Sequence, residues 1–279
     1  MIKRLAFSLA IIMLTFAPAR AEPRRIVSLN PCLDIILVNV ADREQIAALS
    51  HFARDPAEST ISDIARTLPS TWESAEEVMS LNPDLILTAQ HSSLATRKAL
   101  DQLGLQTELF RVPDTIEESL AQIRRIAALV NRVERGEAVV ARIEAAINAA
   151  RPETESRPLN AIVYQPNGLV AGSGSLVDEM LNRTGFHNIA SQYGVGRWGT
   201  VSLEQLLNDP PEVLLAAEIL SGKPTWAERV LSHPALQTVA PVMHRASFPQ
   251  QLLFCGGPVL EKTAETLAAA RLSAREARK

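Results

Sequence analysis

An internal repeat constrains this chain more strongly than any other feature of its sequence. The segments Ser74–Leu87 and Ser202–Leu215 align without a gap, 128 positions apart. Serine, glutamate, proline and the final leucine coincide, while the acid after the proline and the apolar triplet are matched in kind. Each segment has the pattern of a capped helix, a proline turn and a buried strand. The repeat therefore predicts two versions of one α/β unit.

The start of each repeat separates acids with a structural role from acids without one. The serine that opens each segment is a natural N-cap, and Glu77 or Gln205, three residues later, would complete a capping box. Glu76 and Glu204 are not needed for that box and should point outward from the helix start. From spacing alone, these two acids either favour the helix dipole or serve a partner.

Short apolar runs alternate with helical patterns along the rest of the chain, which is the order of an α/β protein. We predict an N-terminal α/β lobe at 22–131, a connecting helix at 132–152 and a C-terminal α/β lobe at 153–279. The predicted strands are Ile26–Leu29, Ile46–Leu49, Leu85–Thr88, Thr107–Phe110, Ala161–Tyr164, Leu169–Ala171, Val213–Ala216 and Ala246–Phe248. The predicted helices are Asp34–Val40, Ser74–Ser80, Ser92–Leu103, Thr115–Val130, Val133–Ala150, Ser175–Arg183, Ser202–Asn208, Thr225–Leu231 and one from Pro258.

Composition and the first residues narrow the class of protein. A content of 47% hydrophobic and 21% charged residues supports real cores, and a net charge of -3 gives no general attraction to nucleic acid. Lys3 and Arg4 precede the apolar run Leu5–Phe16 and the small-residue site Ala19-Arg20-Ala21, as in a secretory signal. That run is shorter than the ~20 residues that cross a bilayer. We therefore expect residues 1–21 to be removed and the mature chain to be periplasmic.

Three segments, Arg25–Asp34, Ala75–Leu87 and Val201–Leu207, carry a resemblance to a known family. Together with two similar lobes joined by one long helix, they resemble the helical-backbone class of periplasmic solute-binding proteins of ATP-driven importers. The resemblance implies two α/β lobes, a rigid connecting helix and a ligand cleft between the lobes. It implies a metal chelate as ligand, and it implies that Glu76 and Glu204 dock onto arginines of the membrane permease.

Residues that follow strands should line the cleft, because ligands of open α/β sheets bind beyond the carboxyl ends of the strands. Aromatic residues are only 4% of the chain, yet Trp72 and Trp198 each precede a repeat helix, as tryptophans do in the family's B12 binders. They could hold a large ligand or simply pack under loops. The candidate ligand-binding residues are Asn30, Pro31, Cys32, His51, Phe52, Trp72, His91, Tyr164, Gln165, Tyr193, Arg197, Trp198 and Cys255.

Four of these residues are also candidate metal ligands. His51 or His91 could ligate iron or cobalt, or simply form hydrogen bonds. Cys32 and Cys255 could form a disulfide between the lobes, act as soft metal ligands or remain buried thiols. Cys32 and His51 could also form a thiol-hydrolase pair. The chain has no G-x-S-x-G, His-Glu-x-x-His, phosphate-loop or Cys-x-x-Cys motif, so we expect no catalysis.

These observations predict a monomeric periplasmic carrier without a resident cofactor. We expect its ligand to be cobalamin or another corrinoid, with a ferric siderophore or haem as the alternative within the same family. Its expected partners are that small molecule and an ABC permease dimer with its ATPase subunits. We expect contact with the inner membrane only through the permease.

Overall fold

The computed structural model describes residues 24–153, 156–165, 168–217 and 233–278. The expected signal segment 1–21 and the predicted helix Thr225–Leu231 lie outside the described residues. Within them, no helix is both long and apolar enough to cross a membrane. The described chain forms two sheets with helices packed around them, so the α/β prediction is confirmed.

The first sheet is entirely parallel and has the order β3-β2-β1-β4-β5. Apolar residues of its central strands are buried, as expected for a sheet covered by helices on both faces. Its strands are β1 (Ile26–Ser28), β2 (Ile46–Ser50), β3 (Ser70–Thr71), β4 (Leu85–Ala89) and β5 (Thr107–Phe110). The helices that connect and follow them are α1 (Pro31–Val40), α2 (Ser62–Ala65), α3 (Ala75–Ser80), α4 (Leu94–Gln102), α5 (Ile116–Leu129) and α6 (Val133–Ala149).

The second sheet is mixed and has the order β11-β10-β6-β7-β9, with β8 paired to β6. Strands β6, β10 and β11 are parallel, whereas β7 pairs antiparallel with both β6 and β9. The strands are β6 (Leu159–Tyr164), β7 (Leu169–Ala171), β8 (Phe186–Asn188), β9 (Trp198–Thr200), β10 (Val213–Ala216) and β11 (His244–Ser247). The described helices are α7 (Leu176–Arg183), α8 (Leu203–Asn208) and α9 (Val259–Glu276).

Helix α1 begins three residues earlier than the apolar pattern predicts. The Asn30 side chain accepts hydrogen bonds from the backbone N–H groups of Cys32 and Leu33, and Pro31 occupies the first helical position. Proline is favoured there because its missing N–H would have no partner within the helix. The cap therefore moves Pro31 and Cys32 from the predicted loop into the first turn of α1.

Helix α6 follows α5 after a break at Asn131, whose backbone has a positive φ of 57°. It packs against α5, α9 and α1 through a buried stripe that includes Val139 and Ile143. Gly136 allows the close approach to α5, because a β-carbon there would collide with the Ala127 side chain. One hydrophobic core runs through these helices and reaches both sheets.

Candidate functional site

A cleft of about 690 Å³ lies between the carboxyl ends of the first sheet and the segments that precede β9 and α9. Its volume is within the ~300–1,000 Å³ that is typical of small-molecule sites. Apolar and aromatic side chains dominate the lining. The lining residues of the first half are Leu29, Asn30, Pro31, Cys32, Leu33, Ile36, Phe52, Glu58, Glu73, Ala89, His91, Ser92, Ser93, Phe110, Arg111, Val112, Pro113 and Gln122, and those of the second half are Leu169, Trp198, Gln251, Phe254, Cys255 and Gly256.

A disulfide between Cys32 and Cys255 forms part of the cleft lining. Their Cα atoms lie 5.0 Å apart, within the range that a disulfide requires. The bond joins the first turn of α1 to the segment before α9. It corrects two of the alternatives above, because disulfide sulfurs offer neither a thiolate for a metal nor a nucleophile for a hydrolase.

Asn30 and His91 form a polar pair on the cleft lining. The amide nitrogen of Asn30 lies 3.2 Å from His91 Nε2. Because the Asn30 side-chain oxygen accepts the N–H groups at the start of α1, its nitrogen faces the imidazole and donates to Nε2. A metal could therefore take the Nε2 lone pair of His91 only by displacing Asn30.

An aromatic stack forms the shoulder of the first half. The imidazole of His51 lies between Phe52 and Trp72, with ring centroids 3.9 Å and 4.1 Å away. Phe52 lines the cleft, whereas His51 and Trp72 lie beside it. The indole of Trp72 is 73% exposed, so the structure does not bury this tryptophan under a loop.

Two acids that sequence reasoning missed lie beside this stack. Glu73 lines the cleft, and its Oε1 is 3.9 Å from His51 Nδ1, with neither atom making a hydrogen bond. Burial raises the pKa of Glu73 to about 7. Asp34 is fully buried and accepts hydrogen bonds from the hydroxyl and amide of Ser50, but desolvation raises its pKa to about 8. Asp34 looked like an ordinary first-turn acid, since nothing in its spacing indicates burial.

The second half contributes a different aromatic wall. Trp198 is 42% exposed and stacks on Phe254 with ring centroids 6.1 Å apart. Both rings line the cleft, and Phe254 gave no sequence signal beyond its neighbour Cys255. Arg197 does not line the cleft. Its guanidinium forms an ion pair with Asp114 of the first half at 2.7 Å.

Three candidate ligand-binding residues of the second half point away from the cleft, which corrects their prediction. Tyr164 is buried in the core of the second half, and its hydroxyl donates to the Val201 carbonyl at 3.0 Å. Tyr193 donates to the Asp209 carbonyl at 2.5 Å. Gln165 is buried, and neither its amide nitrogen nor its amide oxygen has a hydrogen-bond partner. Tyr164 belongs to a strand whose alternation puts its ring in the core, a direction that the strand-end rule does not specify.

The described residues contain no group of three or more His, Cys, Asp or Glu side chains that could hold a metal ion. The four candidates are not brought together as a ligand set. Cys32 and Cys255 are bonded to each other, His91 is paired with Asn30, and His51 is enclosed by aromatic rings. A metal that arrives with its own chelating ligand does not need such a set.

The two repeat helices expose one acid each. Glu76 and Glu204 occupy the second position of α3 and α8 and are both exposed. The predicted capping box is confirmed for Ser202 and Gln205. It is wrong for Glu77, whose Oε2 instead accepts hydrogen bonds from the Trp72 backbone N–H at 2.7 Å and from the Thr71 hydroxyl at 2.9 Å.

Comparison with known proteins gives the family. Residues 26–245 match the model of a family described as periplasmic binding protein. The chain belongs to the periplasmic binding protein family. The matched region extends through both sheets to the second residue of β11, so it includes both halves of the cleft.

Similar individual proteins have related descriptions. The chain is 26% identical over 200 residues to a protein of Halobacterium salinarum described as a cobalamin-binding protein, covering 70% of this chain and 54% of the relative. The chain therefore spans about half the length of that curated relative. The periplasmic heme-binding protein RhuT from Roseiflexus sp. has a TM-score of 0.71 at 23% identity, covering 90% of this chain and 98% of RhuT. The vitamin B12 binding protein BtuF of Vibrio cholerae has a TM-score of 0.67 at 19% identity, covering 91% and 98%.

These matches confirm the predicted family and the bilobal α/β fold. The family consists of importer binding proteins for small ligands and not of enzymes, so the thiol-hydrolase alternative is set aside on this ground as well. Membership implies a periplasmic or extracellular location for this binding protein.

Proposed function

We propose that this chain is a periplasmic carrier that captures cobalamin or another corrinoid and delivers it, as a monomer, to an ABC permease. The observation that carries the proposal is a cleft with flat aromatic rings in both halves and no phenol in reach. Both tyrosines of the chain are bonded to backbone carbonyls and do not line the cleft. The similarity to a cobalamin-binding protein supports the same ligand class.

The form of the cleft also suits a ligand that brings its own metal. Phe52 lines the cleft from the first half, and Trp198 and Phe254 line it from the second. Large aromatic side chains offer wide apolar contact at little cost in conformational entropy. A flat tetrapyrrole-like ring with its metal already chelated can use such contacts without any protein ligand to the metal.

Haem or a ferric siderophore is the second candidate, and one observation favours it. His91 lines the cleft with its Nδ1 not committed to Asn30, and Arg111 lies on the same lining. An imidazole can ligate haem iron, and a guanidinium can hold a carboxylate of the ligand.

The ligand is tested by titrating the mature chain, residues 22–279, with cyanocobalamin, haemin and a ferric hydroxamate in separate calorimetric experiments. We expect one cyanocobalamin per chain with a Kd of about 1 μM or below, corresponding to about -8 kcal/mol or more favourable. We expect haemin and the hydroxamate to bind at least about tenfold more weakly, a difference of about 1.4 kcal/mol. Tighter binding of haemin would contradict the corrinoid proposal and favour the second candidate.

We further propose that Glu76 and Glu204 present the loaded protein to the permease. Each is an exposed acid at the second position of a short helix that a serine caps, and the two helices are related by the internal repeat. Single exposed ion pairs contribute little free energy. Two separated carboxylates can nevertheless fix the orientation of the carrier over a two-subunit permease.

Docking is tested by replacing Glu76 and Glu204 with Ala together and measuring corrinoid uptake and ligand affinity. We expect uptake to fall at least about tenfold while the Kd for the ligand stays unchanged, because neither carboxylate lines the cleft. Glu134→Ala is the matched control, since Glu134 is also an exposed acid in the first turn of a helix. Normal uptake by the double variant would refute the docking assignment.

A further inference from the structure

Glu73 is held in an unusual backbone conformation at the cleft. Its φ is +69°, in the left-handed region that residues other than glycine rarely adopt. The Thr71 hydroxyl oxygen accepts its backbone N–H at 3.0 Å, and that hydroxyl donates in turn to Glu77. Such strain persists only where the surroundings over-determine it, and it concentrates at functional sites. The first shoulder is therefore built to hold this residue in place.

The carboxyl group of Glu73 has hydrogen-bonding capacity that the protein does not use. Oε1 makes no hydrogen bond, and its nearest polar neighbour, His51 Nδ1, is too far away at 3.9 Å. The rings of Trp72 and Phe52 enclose His51 on both sides, and Asp34 is buried nearby. A carboxyl group in such a dry wall gains strongly from a donor and is strongly repelled by another carboxylate.

The charges around Glu73 do not favour an anion. Among the described residues that line the cleft, the charged ones are Glu58, Glu73 and Arg111. Arg111 is exposed, and the acid Glu58 already accepts a hydrogen bond from the Gln250 amide at 3.3 Å. Glu73 is thus the lining acid whose position is fixed by the backbone and whose acceptor capacity is open.

We propose that Glu73 is a specificity-determining residue of the cleft, whose carboxyl group accepts a hydrogen bond from a primary amide of the ligand and rejects a carboxylate at the same position. This inference rests on the proposed function. A corrinoid carries primary amides around its ring, whereas the porphyrin of haem carries carboxylates. Glu73 therefore selects between two flat metal chelates by the chemistry of their edges.

The test uses cyanocobalamin and its monocarboxylic acids, in which one peripheral amide has been hydrolysed. At pH 8 we expect the wild-type chain to bind at least one of these acids about tenfold or more weakly than cyanocobalamin, because like charges face each other. Glu73→Gln should reduce this ratio to about threefold or less, since a glutamine amide can donate to the carboxylate. Glu58→Gln is the matched control and should leave the ratio unchanged.

Folding of the variants is kept separate from selectivity. Glu73→Gly fits the positive φ without strain and also removes the carboxyl group, so it should lose the discrimination while keeping the wild-type melting temperature. Equal binding of cyanocobalamin and all the acids by the wild-type chain would overturn the role of Glu73 and leave the corrinoid proposal standing. Loss of discrimination in Glu58→Gln but not in Glu73→Gln would overturn it too. A wild-type chain that binds haemin and no corrinoid would overturn both proposals.

Discussion

The two shoulders of this binding protein descend from one sequence pattern but are stabilised differently. At α8, Gln205 and Ser202 form a reciprocal capping box that stays within the helix start. At α3, the serine cap is kept, but Glu77 reaches beyond it to the backbone of Trp72 and to Thr71. A single change from glutamine to glutamate at the third helical position thus ties the preceding segment to α3. That segment carries Trp72 and Glu73.

The buried charges of the two halves differ as well. The first half buries Asp34 close to the cleft, where desolvation raises its pKa. The second buries Arg271 of α9, whose guanidinium donates to the Ala150 and Thr184 carbonyls. In the first half a charge is buried beside the cleft without a counter-ion, whereas in the second a charge ties α9 to the ends of α6 and α7. The difference indicates that ligand selectivity is concentrated in the first half and structural anchoring in the second.

The largest expected effect comes from cutting the covalent link between the halves. The disulfide closes a loop of 223 residues, so replacing Cys32 and Cys255 with Ser should lower the free energy of unfolding by about 2–5 kcal/mol. Urea unfolding followed by circular dichroism measures this change, and the wild-type chain in a reducing agent is the control. We expect one transition in both cases, because one core reaches both sheets. An unchanged midpoint, or two separate transitions, would contradict this account of the halves.

The next effect tests the buried acid of the first half. Folded Asp34 keeps a proton up to about pH 8 that the unfolded chain releases near pH 4. Its contribution to stability is therefore present at low pH and is lost as pH rises through this window. Between pH 5 and 7, the wild type should lose about 1.4 kcal/mol more per pH unit than Asp34→Asn.

Asp42→Asn is the control for this pH experiment. Asp42 pairs with Arg132 and Arg135, which lower its pKa to about 2, so its contribution is constant between pH 5 and 7. Urea unfolding at several pH values measures both variants. Identical slopes for the wild type and Asp34→Asn would show that Asp34 is ionised in the folded chain.

The smallest effect comes from exchanging the two third-position residues. Glu77→Gln weakens two hydrogen bonds to a carboxylate and should cost about 1–2 kcal/mol, with a change in the near-ultraviolet circular dichroism of Trp72. Gln205→Glu should cost less than about 1 kcal/mol. It loses a 3.3 Å bond to the Tyr193 carbonyl but places a negative charge at a helix start. Equal costs at the two positions would contradict the distinction between the shoulders.

Much of the fold follows from local patterns in the sequence. Thr107–Phe110, Leu169–Ala171 and Val213–Ala216 match the observed strands, and the repeat correctly predicts the serine caps of α3 and α8. The strands β3, β8 and β9 were not predicted, because strands of two or three residues carry too few alternations to detect.

The site was harder to predict than the fold. Strand-end logic correctly places Asn30, Phe52 and His91 at the cleft, since it depends only on which end of a sheet a residue follows. It fails for Tyr164, whose ring direction is set by packing, and it gives no signal for Glu73, whose position depends on a left-handed backbone fixed by Thr71. The domain boundaries at 131/132 and 152/153 stay predictions.

The most direct test of the account is a crystal structure of the mature chain with cyanocobalamin. We expect one corrin ring in the cleft, in contact with Phe52 and with the Trp198 and Phe254 wall, and with a peripheral amide nitrogen within about 3.2 Å of a Glu73 carboxyl oxygen. A corrinoid bound outside this cleft, or held by one half alone, would contradict the account.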